Sequence, residues 1–303
     1  MNACESILGL NPYQGGKPIE ELERELGIKN ITKLASNENP LGISKKVSDA
    51  IKDSLPNINR YPDGNAFELK KAISNKLSIK PEQISLGNGS NELLELIARV
   101  FVSESSDEVI FSEYAFVVYP LVTQALGATA QVSPAKNFGH DLNAMLRLIS
   151  SNTKLIFVAN PNNPTGTLLS NEEIYSFLNQ VPDHIPVVLD QAYFEYIDKE
   201  DYAISWLEEF DNLIITRTFS KAYGLAGLRV GYSICSASIS DYINRVREPF
   251  NVNHTAQIAA IAALADDEYL KESIKVNADG YEPVSYTHLR AHETRGNLVW
   301  RLV

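Results

Sequence analysis

Cysteine is scarce: Cys4 and Cys235 are the only two in 303 residues, and no CxxC spacing occurs. That excludes a disulfide framework or cysteine zinc site and points to a reducing compartment. Basic charge is also short, 27 Lys and Arg against 38 Asp and Glu, for a formal net charge of -11. A nucleic-acid groove or an anionic membrane surface is therefore not expected as the main partner, whereas a local basic pocket for a small phosphate remains compatible with that charge. Nowhere do about 18 apolar residues run together. The opening MNACESILGLNPYQGG has no basic head before a long apolar stretch, so a cytoplasmic protein is expected. The nucleotide loop GxxxxGK[ST] and the zinc pattern HExxH are missing too. His288 and His292 stand at i, i+4 spacing beside Glu293 but find no third ligand nearby, so no metal is expected.

What is there is apolar and periodic. Hydrophobic residues make up 44% of the chain, enough for one large domain and a smaller one. KLIFVA (154–159) reads as a buried strand, NEEIYSFLNQV (171–181) as an amphipathic helix and IPVVLD (185–190) as the next strand, which is a βαβ unit. The alternation also runs through EVIFS (108–112), the helix-like AFVVYPLVTQALG and TAQVS from Thr129, and returns in NLIITRT (212–218). A mostly parallel α/β sheet follows. Residues 241–265 have helical composition broken at Pro249, fit to carry the chain between domains. In open α/β sheets ligands bind where strands end and loops begin. NPNNPTG (160–166), Asp190 with QAYFEY, and Lys221 each follow such a strand, so three loops converge on one rim.

Each of these residues has a plain structural reading beside its chemical one. Lys221 is either an ordinary surface lysine or a site residue; Thr218, Ser220 and Arg229 around it suit a phosphate, and a lysine beside a phosphate cradle suggests either a Walker-type loop, whose spacing is missing, or a Schiff-base lysine. Asp190 is either a turn former or a buried carboxylate that needs a cation. Tyr193 is either core aromatic or site residue. NPNNPTG is turn chemistry that also brings the Asn163 amide to a strand end. GNGSNELLE (87–95) joins a glycine turn to a helix whose free N–H groups at Gly89, Ser90 and Asn91 attract anions, although a plain cap reads the same way.

Taken together, NPYQGGKP, LASNENPLG, RYPDG, LGNGSNELLE, NPNNPTG, LDQAYFEY and TFSKAYGLAGLRVGY resemble the histidinol-phosphate aminotransferase family of fold-type-I pyridoxal-phosphate enzymes over roughly residues 11–279. The resemblance implies a three-layer α/β/α large domain with a mostly parallel sheet and an incomplete small α/β domain. Pyridoxal 5'-phosphate is implied as cofactor, with an amino donor and a 2-oxo acid as substrates and a homodimer as assembly. It makes Lys221 the attachment lysine and proton shuttle, and Asp190 the partner of the ring nitrogen. Tyr193 and Asn163 become donors to the ring oxygen, Phe116 a stacking ring, and Gly89, Ser90, Ser220 and Arg229 phosphate ligands. Tyr61 would be lent to the partner's phosphate, and substrate choice would lie near Tyr13 and Asn37. The implied division is an arm with the first part of the small domain (1–60), the cofactor domain (61–265) and the start of the C-terminal part (266–282). From about 283 the chain no longer follows the family and reads as a non-native tail; Arg290, Arg295 and Arg301 there match no motif. Alternative functions are an aromatic or broad-range aminotransferase, a related phosphate-amine decarboxylase, and a catalytically dead fragment or regulator that binds the cofactor.

Overall fold

The apolar runs form the middle of one seven-stranded sheet. The structure, a computed structural model, describes residues 3–13, 15–16, 18–197 and 202–284. The tail from 285 onward, with His288, His292, Arg290, Arg295 and Arg301, lies outside them. Nine strands occur among the described residues: β1 Ile84–Gly87, β2 Glu108–Ser112, β3 Thr129–Ser133, β4 Ala135–Lys136, β5 Gly139–His140, β6 Thr153–Ala159, β7 Val187–Asp190, β8 Leu213–Thr218 and β9 Gly231–Ile234. The helices are α1 Glu5–Leu8, α2 Ile19–Leu26, α3 Lys45–Ser54, α4 Phe67–Leu77, α5 Ser90–Phe101, α6 Val118–Ala125, α7 Leu142–Arg147, α8 Asn171–Leu178, α9 Ala237–Val246, α10 His254–Leu264 and α11 Asp267–Val284.

The sheet order is β1-β9-β8-β7-β6-β2-β3, with β4 and β5 forming a separate two-stranded ribbon. Strands β3, β2, β6, β7 and β8 run parallel, while β9 is antiparallel to both neighbours, β8 and β1. Successive side chains of a strand point to opposite faces, and here both faces are covered. Ile156, Val158, Val187, Leu189, Leu213 and Ile215 enter a core with α4, α8 and α10 residues such as Leu69, Ile73, Phe177 and Ala260. Leu155, Phe157, Val188 and Ile214 enter another with Leu93, Ile97, Tyr119 and Ile243 of α5, α6 and α9. Burial on both faces is why these strands read as continuous apolar runs rather than alternating ones.

Local chemistry sets the element ends. Ser170 caps α8 by accepting from the Glu173 N–H while the Glu173 carboxylate accepts from the Ser170 N–H, a reciprocal capping box. That helix stops at Leu178 and β7 starts at Val187, two positions inside the expected apolar run, since Pro186 has no N–H for the ladder. The expected break at Pro249 lies between α9 and α10, the latter capped by the Asn253 side chain, which accepts from the Ala256 N–H at 2.8 Å. No described helix is long and apolar enough to cross a membrane.

Candidate active site

A cleft of about 340 Å³ opens at the carboxyl ends of β6, β7 and β8, lined by residues of the three expected loops together with Tyr13, Ser36, Asn37, Ser90, Asn91 and Phe116. The three asparagines of NPNNPTG divide the work of building its wall. Asn160 donates to the Leu169 carbonyl at 3.2 Å and accepts from the Leu169 N–H at 2.8 Å; the Asn162 amide donates to the Tyr114 carbonyl at 2.9 Å and Thr165 Oγ1 at 2.8 Å. Only Asn163 turns to the cleft, donating to the Tyr193 hydroxyl at 3.2 Å. Both peptide bonds before Pro161 and Pro164 are cis.

One end of the cleft is acidic. Asp190 is buried at the end of β7, accepting from Tyr119 Oη at 2.8 Å and Thr216 Oγ1 at 3.1 Å. Burial raises its pKa, and the hydrogen bonds from Tyr119, Thr216 and the Ala192 N–H oppose that rise. Its ionised form finds only hydroxyl and N–H partners, with no cation against it among the described residues, so a positively charged ligand group would be stabilised here. Tyr119 is itself clamped, its ring stacked on Phe157 at 4.5 Å with the planes 1° apart. Burial, then the Asp190 charge, pushes its pKa well up, so it stays a donor. Phe116 meets Tyr119 edge-on at 5.9 Å and lines the cleft beside it.

The other end is built of donors. Helix α5 is preceded by Gly89, whose φ of +80° and lack of side chain leave the first N–H groups without a side-chain cap. A Cβ at Gly89 would stand 2.2 Å from Arg229 Nη2, and one at Gly231 would stand 2.6 Å from the Ser90 nitrogen. Two glycines thus let the arginine fork and the helix start share one spot. Arg229 donates to Ser220 Oγ at 3.2 Å, and Thr218 Oγ1 donates to the same Ser220 oxygen at 3.0 Å. Helix dipole, guanidinium and hydroxyls make an anion cradle.

Lys221 stands between the two ends. Its Nζ donates to the Ser36 carbonyl at 3.0 Å and lies 5.5 Å from the Tyr193 ring centre. Burial first, and the Arg229 charge second, bring its pKa down to about 8, which makes a neutral, nucleophilic amine accessible near physiological pH.

Of the expected residues, Lys221, Asp190, Tyr193, Asn163, Phe116, Ser90, Ser220, Arg229, Tyr13 and Asn37 all line this cleft, and Gly89 lies directly behind Ser90 against Arg229. Tyr61 does not line it; it is 82% exposed and stacks on Phe250 at 4.7 Å. Sequence reasoning missed Tyr119, Thr216 and the Ser36 carbonyl as site groups. It placed Asn37 with the substrate, whereas its Nδ2 donates to the Tyr193 hydroxyl at 2.9 Å.

The family model for aminotransferase class I and II matches residues 29–285. The chain belongs to this aminotransferase family. Curated relatives of the aminotransferase include histidinol-phosphate aminotransferase 2 of Pasteurella multocida, 56% identical over 278 residues that cover 91% of this chain and 76% of the relative. Histidinol-phosphate aminotransferase 1 of Mannheimia succiniciproducens is 55% identical over 277 residues, covering 91% and 75%. Among solved structures, the histidinol-phosphate aminotransferase of Sinorhizobium meliloti in complex with pyridoxal-5'-phosphate superposes with a TM-score of 0.86 at 31% identity, covering 93% of this chain and 76% of that one. The aspartate aminotransferase of Thermus thermophilus shares the fold, with a TM-score of 0.77 at 18% identity, and covers 93% and 78%.

Proposed function

We propose that this aminotransferase transfers the amino group of L-histidinol phosphate to 2-oxoglutarate with pyridoxal 5'-phosphate as cofactor, a step of histidine biosynthesis. The substrate reading is supported by relatives at 55% and 56% identity that carry that activity in their names. The observation that carries the cofactor reading is the polarity of the cleft. A buried carboxylate without a cation lies at one end and a donor cradle at the other, with a depressed-pKa lysine between them.

The cofactor, when bound, supplies an electron sink for the carbanion that forms as the amine exchanges. The chain does the rest. Asp190, held by two hydroxyls and one N–H, would keep a ring nitrogen protonated; Ser90, Ser220 and Arg229 with the α5 N-terminus would hold the phosphate; Asn163 and Tyr193 would offer donors to the ring oxygen; and Phe116 would cover a ring face. Lys221 would hold the cofactor through its carbonyl carbon, the oxygen leaving as water, and, once replaced there by the incoming amine, would be free to carry the proton, with the Ser36 carbonyl as its resting acceptor. Tyr13 at the mouth contacts the amino donor.

Three coarser assignments go with this reading. A homodimer is proposed because Tyr61 and Phe250 form an exposed aromatic pair away from the cleft of their own chain, suited to reach a partner's. The cytoplasm is proposed because Cys4 and Cys235 are both free thiols. Residues 61–265 are taken as the cofactor domain, since the sheet and the cleft floor fall within 84–234, with 1–60 and 266–282 as parts of a small domain.

The test is the visible spectrum of the purified chain with added pyridoxal phosphate, followed by L-histidinol phosphate or an aromatic amino acid. A yellow band that histidinol phosphate discharges far faster than the aromatic supports the proposal. Faster discharge by the aromatic overturns the substrate, and no band at all overturns the cofactor.

A further inference from the structure

We propose that Asn37 is a positioning residue for Tyr193: its amide holds the tyrosine hydroxyl so that the one phenolic proton is delivered into the cleft. This rests on the cofactor reading above and revises the expectation that Asn37 contacts substrate. A phenol oxygen has two acceptor sites and one proton. Both acceptor sites of Tyr193 are filled from the protein, by Asn37 Nδ2 at 2.9 Å and Asn163 Nδ2 at 3.2 Å. No described residue accepts from Tyr193, which lines the cleft with only 6% of its surface exposed. The proton therefore has one place to go, a ligand oxygen in the cleft.

The backbone around Asn37 is arranged for this task. Ser36 and Asn37 are consecutive left-handed residues, with φ of +74° and +50°. Asparagine is among the few side chains that tolerate that region. The paired reversal turns the Ser36 carbonyl to Lys221 Nζ and the Asn37 amide to Tyr193. Two residues on, Asn39 pins the segment from outside, its Nδ2 donating to Ser273 Oγ at 2.7 Å and the Ala222 carbonyl at 3.0 Å while its Oδ1 accepts from the Leu41 N–H at 3.0 Å. Donation by Asn37 also works against the burial and the Asp190 charge that make the Tyr193 phenol a weaker acid, so it keeps Tyr193 a stronger donor.

The experiment compares wild type, Asn37→Gly, Asn37→Asp, Tyr193→Phe and the Asn37→Gly, Tyr193→Phe double variant. Glycine deletes the donor without backbone strain; aspartate keeps the shape but accepts the tyrosine proton instead of donating. The first readout is the pKa seen in the visible spectrum of the bound cofactor, whose deprotonated form leaves negative charge on the ring oxygen. Losing one neutral hydrogen bond raises that pKa by about half a unit to one unit in Asn37→Gly, and by more in Asn37→Asp. The double variant matches Tyr193→Phe, because Asn37 has nothing left to act through. If the double variant loses as much again in kcat/KM as Asn37→Gly alone, Asn37 touches substrate independently and the proposal fails. The second readout needs no cofactor: the 13Cζ resonance of labelled Tyr193, assigned by its loss in Tyr193→Phe, shifts in Asn37→Gly at neutral pH. An unmoved resonance overturns the proposal, whereas a wild-type chain that shows no yellow band but does show this shift overturns the cofactor reading and leaves Asn37 placed as proposed.

Discussion

The two ends of the cleft are opposite in charge and opposite in construction. The acidic end is a single carboxylate sunk into the core and bonded by side-chain hydroxyls, Tyr119 and Thr216, that are themselves buried. The donor end is mostly main chain and glycine, a helix start left without a side-chain cap and an arginine fork admitted by Gly89. Burial disfavours the ionised form of Asp190, and between the ends burial first and the Arg229 charge second disfavour the ammonium of Lys221. A ligand with a cationic ring nitrogen at one end and a phosphate at the other relieves both at once. On the proposed reading, the acidic end would set reactivity and the donor end affinity.

That division can be broken most severely at the residue between the ends. Lys221→Ala abolishes the covalent yellow species and half-transamination while the phosphate end still holds the cofactor, which equilibrium dialysis would detect; an unchanged half-reaction rate would end the catalytic assignment. At the acidic end, Asp190→Asn lowers kcat by about a hundred- to a thousandfold, the range for removing one electrostatic stabiliser, with cofactor affinity much less affected. At the donor end the pattern reverses. Arg229→Lys keeps the charge and loses the fork, weakening cofactor binding by about ten- to a hundredfold, and added cofactor restores most of kcat.

Two smaller effects sharpen the comparison. Tyr119→Phe removes one donor to Asp190 at a net cost of about 1 kcal/mol, so kcat falls by about fivefold and the apparent pKa of the Asp190-linked step rises. The attachment rate of pyridoxal phosphate follows the neutral amine of Lys221. Because that pKa is lowered from 10.5 to about 8, the rate climbs as pH rises through about 8 and levels off above it. Stopped-flow mixing of the unloaded chain with cofactor from pH 6.5 to 9.5 would show it, and a rate still climbing at the top of that range would mean that the lysine is not depressed.

Much of this was legible in the sequence, and the exceptions follow a rule. EVIFS became β2 and KLIFVA lies within β6, since parallel strands buried on both faces leave unbroken apolar runs, whereas TAQVS became β3, a mostly exposed strand at the sheet edge. Strands β1 (ISLG) and β9 (GYSI) were not read: each is four residues long, with serine and glycine among them, and only pairing with each other and with β8 makes them strands. That is why the antiparallel half of the sheet, which carries the donor end, was invisible while its site residues were not. Tyr119 was hidden because, in VVYPLV, an aromatic among apolar residues looks like core. It is core, and its hydroxyl is also a donor to Asp190. The role of Ser36 lies in its main-chain carbonyl, which no side-chain pattern reports.

The antiparallel return of β9 has a consequence for the order in which the cleft can come together. Thr218 pairs with Gly231 across a β8–β9 hairpin, so Thr218, Ser220, Lys221 and Arg229 all belong to one short stretch of chain; the Arg229 to Ser220 bond spans 9 residues. The acidic end closes over 71 residues from Tyr119 to Asp190, and the Asn37 to Tyr193 bond over 156. Short loops close at lower entropic cost and sooner than long ones. The hairpin can therefore assemble its own share of the anion-holding half early, whereas the Ser36–Asn37 segment reaches Tyr193 and Lys221 only across 156 and 185 residues.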